Sequence, residues 1–419
     1  MALRTYPNGL KLSVLPKKDA KLISVDLHIT SGTQSEKNYE SGISEFTSRM
    51  LLMGTKKHPS ERDLFMFAKS NGLKLSRDNT SESIIISVLT LADYIDRAID
   101  LLCEIAFEST FDMASGDKVR NIMLADIVKL QENPSYTLER MVNQALFYRT
   151  GLANPKFGTI TTISRMTSGD SKEFFDRVLT PKNTVISVVG DIDADTVYEK
   201  VMKTFYTRFI EGGEYKKLKY VANIENFAGG ERTKNKKLNQ SRIFLAFPCF
   251  SYKTTNKYAI DIVSPIILRK IEEKFNGVHY FHDEKISYDQ YANNGKLTIE
   301  AMVDYEHVNE YLDNIVVVIK ELTKNKISEI DFEIEKNAYI IKFLQESESV
   351  HDLSVLAARE VAINKQSYSQ ASELMKVELL KVSDANKAIE EVFDFTKLFI
   401  AYLGGPAEIN SLDYIDYSD

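Results

Sequence analysis

The feature that most restricts how this chain can fold is a repetition at a nearly constant offset. Ile84-Ile85-Ile86-Ser87-Val88 is a β-branched run, followed by Ile95, Ile99, Leu102 and Ala106 at helical spacing. Moving 213 positions along the chain gives Leu297-Thr298-Ile299-Glu300-Ala301, then Val308, Leu312, Ile315 and Ile319, the same strand and helix again. Leu130-Gln131-Glu132 on a long amphipathic helix recurs as Leu344-Gln345-Glu346 at offset 214. The strand Thr184 to Val189 recurs as Lys397 to Tyr402 at offset 213. Four matches in one order at nearly one offset predict a duplicated domain.

Each copy mixes strands with long helices. Ile23, Val25, Leu27 and Ile29 point one way while Ser24, Asp26 and His28 point the other, which predicts antiparallel sheet with one polar face and an α+β class. A length of 419 residues exceeds one ordinary core. The expected organisation is an N-terminal domain over 1–210, a linker rich in Gly, Lys and Asn over 211–235, and a C-terminal domain over 236–419.

Composition removes several function classes. A net charge of −7 with both signs interspersed leaves no footprint for nucleic acid or an anionic bilayer. Runs such as Ile84 to Leu89 are too short to span a membrane. Cys103 and Cys249, far apart in apolar surroundings, read as buried free thiols of a reducing compartment. The start, Met1-Ala2-Leu3-Arg4-Thr5-Tyr6-Pro7, has neither an apolar signal core nor an Arg/Ser-rich presequence, so a targeting segment is expected to be removed or never present. His279 and His282, three apart, are the best histidine pair, and no third ligand cluster accompanies them. His28, His58, His307 and His351 are scattered, and no Ser/His/Asp or Cys/His grouping can be assembled from spacing alone. Lys234-Asn235-Lys236-Lys237 reads as a solvated loop and Pro16-Lys17-Lys18-Asp19 as an exposed turn.

Gly42-Ile43-Ser44-Glu45-Phe46-Thr47-Ser48-Arg49-Met50-Leu51-Leu52-Met53-Gly54-Thr55 resembles the metal helix of the pitrilysin/insulinase-like metallopeptidases, G-I-S-H-F-L-E-H-M-L-F-K-G-T. In that family an inverted HxxEH motif supplies two zinc ligands and a glutamate general base. Glu45, Ser48 and Arg49 stand at those positions. An arginine never deprotonates in a protein, so Arg49 offers no lone pair and repels a dication. The family's third ligand, a later glutamate, corresponds to Asp126 in Ile122-Met123-Leu124-Ala125-Asp126-Ile127, 126 − 49 = 77 positions after Arg49. The residues themselves suggest an ion-pair cluster, with Glu45 and Arg49 at i, i+4 and Asp126 completing it. The bland reading is three unrelated solvated charges. No zinc and no other cofactor is expected.

The resemblance extends along nearly the whole chain. Tyr6-Pro7-Asn8-Gly9-Leu10 is similar to the family's opening L-P-N-G-L, and Pro181-Lys182-Asn183 through Val189-Gly190-Asp191 to its closing strand. It implies two similar domains facing each other as a clamshell, with an extended peptide held inside by strand addition. Active members also carry V-R-E-K-x-G-L-A-Y, whose arginine and tyrosine reach the substrate. Here Ile271-Glu272-Glu273-Lys274-Phe275-Asn276-Gly277-Val278-His279-Tyr280 keeps Tyr280 but has Glu272 for the arginine and one inserted residue.

Among noncatalytic branches the chain resembles the core subunits of mitochondrial respiratory complex III. The segments that carry this are Phe147 to Pro155, Phe227 to Glu231, Gln345 to Ser349 and Leu412 to Asp416. The implied role is a structural subunit, active only at the level of a complex, paired with a related subunit on the matrix side of the inner membrane. The alternative is the inactive substrate-binding partner of a zinc-dependent processing peptidase, mitochondrial or in the bacterial cytoplasm. The glycine-rich loop of the mitochondrial processing peptidase's own inactive subunit has no counterpart between Val263 and Gly277. Two further readings are residual chemistry at Tyr280 and its neighbouring histidines, and a stand-alone peptide-binding module.

Overall fold

The computed structural model describes residues 2–209, 227–238 and 240–414. They fall into two compact units, one drawn from Met1–Lys129, Asn154–Lys219 and Leu344–Gln370, the other from Leu130–Ala153, Tyr220–Phe343 and Ala371–Asp419. The strands are β1 (Ala2–Thr5), β2 (Lys11–Pro16), β3 (Leu22–Ile29), β4 (Lys74–Asn79), β5 (Ile84–Leu91), β6 (Thr184–Gly190), β7 (Gly230–Asn235), β8 (Ser241–Cys249), β9 (Phe281–Gln290), β10 (Gly295–Val303) and β11 (Phe399–Gly404). The helices are α1 (Ile43–Met50), α2 (Glu61–Ser70), α3 (Ile95–Glu108), α4 (Met113–Glu132), α5 (Pro134–Leu146), α6 (Ile160–Ile163), α7 (Ser168–Val178), α8 (Ala194–Val201), α9 (Asn256–Lys274), α10 (Val308–Asn325), α11 (Glu329–Glu346), α12 (Val350–Ile363), α13 (Gln370–Glu378) and α14 (Val382–Val392).

The duplication is written into the sheets. The first has the order β1-β2-β6-β3-β5-β4 and the second β7-β11-β8-β10-β9. In the first, β2 and β6 are parallel and every other pair is antiparallel. In the second, β7 and β11 are the parallel pair and the rest are antiparallel. Each strand from β2 to β6 therefore has a counterpart with the same neighbours and directions, and the α+β class holds for both units. The last repeated strand begins at Phe399 instead of Lys397, because Phe395–Lys397 forms a 3-10 turn matching the one at Pro181–Asn183.

One face of each sheet is packed as its pattern requires. Ile23, Val25, Leu27 and Ile29 are fully buried against α3 and its neighbours, and Ile299, Ala301, Leu312 and Ile315 do the same in the second unit. The polar face of the first sheet is buried as well: Ser24, Asp26 and His28 are all covered. Helix α12 lies on β2, β3 and β6 there, with Leu353, Ala357 and Tyr368 packed around Val189. Its polar contacts fit the polar strand positions. Ser187 Oγ donates to the Ser354 carbonyl at 2.9 Å, Ser24 Oγ donates to Asp26 Oδ1 at 3.2 Å, and His351 Nδ1 is 3.9 Å from Asp26. Burial pushes the Asp26 carboxyl above its ordinary pKa.

The second sheet is covered reciprocally. Leu138, Met141 and Val142 of α5 pack on Phe244, Ala246, Phe399 and Ala401. Thus α12, late in sequence, completes the first unit, and α5, early in sequence, completes the second. Of the expected linker, residues 211–226 lie outside the described residues, and Gly230–Asn235 is strand β7 rather than loop. Lys234 and Asn235 belong to that strand, although exposed. Both cysteines are free; Cys103 is buried and Cys249 only partly so. Burial pushes the Cys103 thiol up to about 11 and the Cys249 thiol higher still.

Candidate functional site

Helix α1 is short and almost wholly buried, which is why its charged residues matter. It starts at Gly42, whose φ of +92° puts it in the left-handed region, and a Cβ there would come within 2.8 Å of the Gly158 backbone. The buried Glu36 caps the start, its carboxylate accepting from the Gly42 amide at 2.9 Å and the Ser44 amide at 3.0 Å. Burial pushes this carboxyl up to about 8, against the opposing effect of the Ser44 and Gly42 hydrogen bonds. Ile43, Phe46 and Met50 join the core. Glu45 and Ser48 instead reach Arg77 of the edge strand β4.

The four first-half positions singled out in the sequence form one cluster. Arg49 Nε donates to Glu45 Oε1 at 2.7 Å, and Arg49 Nη2 lies 2.7 Å from Asp126 Oδ2 on α4. The expected i, i+4 pair and its extension to α4 are both present. A further cation, Arg77, was not found by sequence reasoning. Its Nη1 lies 3.2 Å from both Glu45 Oε1 and Ser48 Oγ. The guanidinium of Arg49 also sits 5.6 Å from the centre of the Phe157 ring. Burial opposes its charge, but the hydrogen bonds and charges of Glu45 and Asp126 outweigh this and hold its pKa above the usual value.

The chemistry of this donor set does not fit zinc. A zinc site needs deprotonated nitrogen, sulfur or carboxylate donors pointing at one empty point. Here the most buried carboxylate, Glu45 at 2% exposure, already spends Oε1 on two guanidiniums, and neither arginine can give a lone pair. Two fixed positive charges stand where a dication would have to sit. Glu45 Oε2 finds no hydrogen-bond partner, nor does Asn79 Oδ1, whose amide nitrogen donates to Ser44 Oγ at 3.2 Å. Among the described residues no group of three or more His, Cys, Asp and Glu side chains is placed to hold a metal.

The second-half residues lie in the second unit, in surroundings of their own. Glu272 is exposed near the end of α9. Tyr280 stacks on His307 with ring centres 4.5 Å apart and planes 11° from parallel. Burial, Glu310's charge and its hydrogen bond raise the Tyr280 pKa. Glu284, reached by the Tyr311 hydroxyl at 2.8 Å, is pushed up to about 7, mainly by burial, with Glu272's charge adding to the shift. His279 and His282 are both exposed. Tyr280 thus stacks on His307 and hydrogen-bonds Glu310, whose Oε2 is 3.1 Å from His307 Nδ1.

The family described as Insulinase (Peptidase family M16) matches residues 13–160, and the one described as Peptidase M16 inactive domain matches 165–339. A Bacillus subtilis protein named uncharacterized zinc protease YmxG is 21% identical over 341 residues, 79% of this chain and 81% of that one. A Helicobacter pylori protein named non-peptidase homolog YmxG is 26% identical over 200 residues, 46% of this chain and 45% of its own length. Among solved structures, a protease from Helicobacter pylori superposes with a TM-score of 0.87 at 18% identity, over 97% of this chain and 99% of that one. A chain of complex III from Candida albicans superposes at 0.79 and 20% identity, over 96% and 95%. At such identities the structural likeness establishes the fold.

Proposed function

The chain belongs to the insulinase (M16) family of peptidases, and from that premise we propose that it is a noncatalytic member that works by holding a related subunit. Residues 1–210 and 236–419 are then the two copies of the ancestral repeat. One observation carries the reading: Arg49 and Arg77 share Glu45 at the position of the family's metal motif, so the frame persists while the metal-binding chemistry does not. On the family's pattern, Glu45, Ser48 and Arg49 replace HxxEH, and Glu272 replaces the substrate-binding arginine.

The partner in this reading is a zinc-bearing peptidase or a first core subunit, with the present chain as the counterpart of the second core protein of complex III. The likeness to a chain of complex III from Candida albicans supports the core-subunit form, and this reading puts the chain on the matrix side of the inner mitochondrial membrane. The bacterial relatives support the alternative, an inactive substrate-binding partner in a heterodimeric peptidase. An extended peptide in the interior is compatible with the second form. No helix of the described residues is long and apolar enough to cross a membrane.

Native mass spectrometry of the chain purified from its source organism, with metal analysis of each component, tests this. The expected result is a complex with an M16-like partner and no stoichiometric zinc on the present chain. A monomer carrying tightly bound zinc would overturn the reading. Copurification with cytochrome-bearing membrane subunits selects the core-subunit form, and copurification with a zinc peptidase alone selects the other.

A further inference from the structure

Beneath α12 the first sheet holds a carboxyl with little to neutralise it. Asp26 is fully buried in the middle of β3. Its Oδ1 accepts a hydrogen bond from the Ser24 hydroxyl at 3.2 Å, while its Oδ2 finds no partner among the described residues. The cationic group that bears on it is His351, on the first turn of α12. Its Nδ1 stands 3.9 Å from Oδ1, too far for a hydrogen bond, and its side chain is 42% exposed. Ser354 Oγ, one turn further along the helix, is buried and likewise unpartnered. Ser24, His351 and Asp26 do not make a catalytic triad, because the serine is sealed from solvent and approaches the same ring nitrogen as the aspartate, at 3.5 Å. The other titratable groups around the seam leave Asp26 to itself. His28 lies two positions along β3, and β2, β5 and β6 turn only serines and aliphatic residues toward the helix. On α12 Asp352 is exposed, Arg359 is 3.5 Å from Glu82, and Glu360 accepts from Asn364 at 2.9 Å. At the ends, Lys17 pairs with Glu348 at 3.1 Å, and Tyr368, pushed up to about 12 by burial, stays neutral.

We infer that the seating of α12 on the first sheet is proton-linked through Asp26: the helix is held when that carboxyl carries a proton and loosens when it ionises. With a proton, Oδ2 becomes a donor, and Ser354 Oγ is there to accept across the interface. Without it, the buried anion has only hydroxyls and a half-exposed imidazole around it, and lifting α12 is what gives it water. Burial raises the Asp26 pKa, and the Ser354 and Ser87 hydroxyls and the charge of His351 oppose this only in part. An open form, with Asp26 in water, titrates near the ordinary value of about 3.9. Seating the helix therefore takes up a proton, so its hold is complete below about pH 3.9 and is lost as pH rises through the higher, seated value. Between those limits the opening constant grows by up to roughly tenfold per pH unit. The chain on either side of α12 belongs to the second unit, so a loosened helix stays tethered at both ends and can reseat. This goes beyond the pairing with a related subunit proposed above and does not depend on it.

Hydrogen–deuterium exchange of the full chain from about pH 5 to about pH 8, corrected for the intrinsic pH dependence of amide exchange, tests this. Protection of Val350–Ile363 should fall as pH rises, measured against α3, which packs on the opposite face of the same sheet and serves as internal reference. Asp26→Asn keeps the shape and can donate to Ser354 at every pH, so it should flatten the α12 profile to within about twofold across the range. An infrared difference spectrum, parent minus Asp26→Asn at about pH 5, should show the band of a protonated carboxyl. A parent whose α12 protection relative to α3 does not change with pH overturns the inference, whether or not the variant folds. So does a pH dependence that Asp26→Asn retains, which would move its source to His28 or His351, and so does the absence of the carboxyl band.

Discussion

Replacing Arg49 with Met should destabilise the first unit by about 3 kcal/mol. Removing one partner from a buried ion pair costs on the order of 3–5 kcal/mol, most of it the penalty of the charge left behind. Glu45 is the charge left behind, at 2% exposure, and it keeps Arg77 at 3.2 Å, which places the cost at the lower end. Asp126, whose side chain is 38% exposed, returns to water and adds little. Methionine preserves the apolar stem, so the loss is not one of packing volume. In a unit of this size about 3 kcal/mol lowers the melting temperature by roughly 6–12 °C. Adding Glu45→Gln to Arg49→Met removes the stranded charge and should restore about half of the loss, giving a non-additive double-mutant cycle. Scanning calorimetry of the four proteins measures both effects. An Arg49→Met protein melting within about 1 °C of the parent, or a strictly additive cycle, would refute the claim that Arg49 is there to neutralise Glu45.

Two other outcomes follow from buried groups. Glu36 titrates near pH 8 when folded and near 4.3 when unfolded, so its contribution to stability is complete below about pH 4.3 and is lost as pH rises toward about 8. Glu36→Gln should flatten the fall in urea midpoint between about pH 5 and about pH 8, and an unchanged profile would exclude Glu36 as its source. Ala357→Glu would press a carboxylate between α12 and the first sheet, where Ala357 is fully buried, and should cost more than about 4 kcal/mol; a soluble, cooperatively melting variant would show that α12 is not needed to cover that face.

The repeat and the strand and helix types were legible because side-chain periodicity reports them directly: Ile84 to Val88 and Leu297 to Ala301 both lie in strands paired on both sides, each next to the edge of its sheet. The Glu45, Arg49 and Asp126 cluster was legible because helical spacing and one family frame sufficed. Arg77 was not, since its strand lies 28 positions beyond Arg49 and only tertiary packing brings the two to one carboxylate. Periodicity also says which face of a strand is polar without saying whether water or a helix will meet it. Ser24 and Asp26 mark the polar face, and what meets them there is Ser354 and His351. Two equivalent helices can likewise trade sheets without altering any local pattern, which left the exchange of α5 and α12 invisible.

That exchange sets the order in which the protein can be completed during synthesis. Every strand of the first sheet has been made once residue 190 is joined, but the helix that shields Asp26, Ser187 and Val189 follows some 160 residues later. Until then the nascent first unit carries a hydrogen-bonding face with no lid, in contact with water or a chaperone, and its closing contacts span most of the chain, a separation that slows folding. A stop codon anywhere before residue 350 would therefore spoil the early unit as surely as the late one.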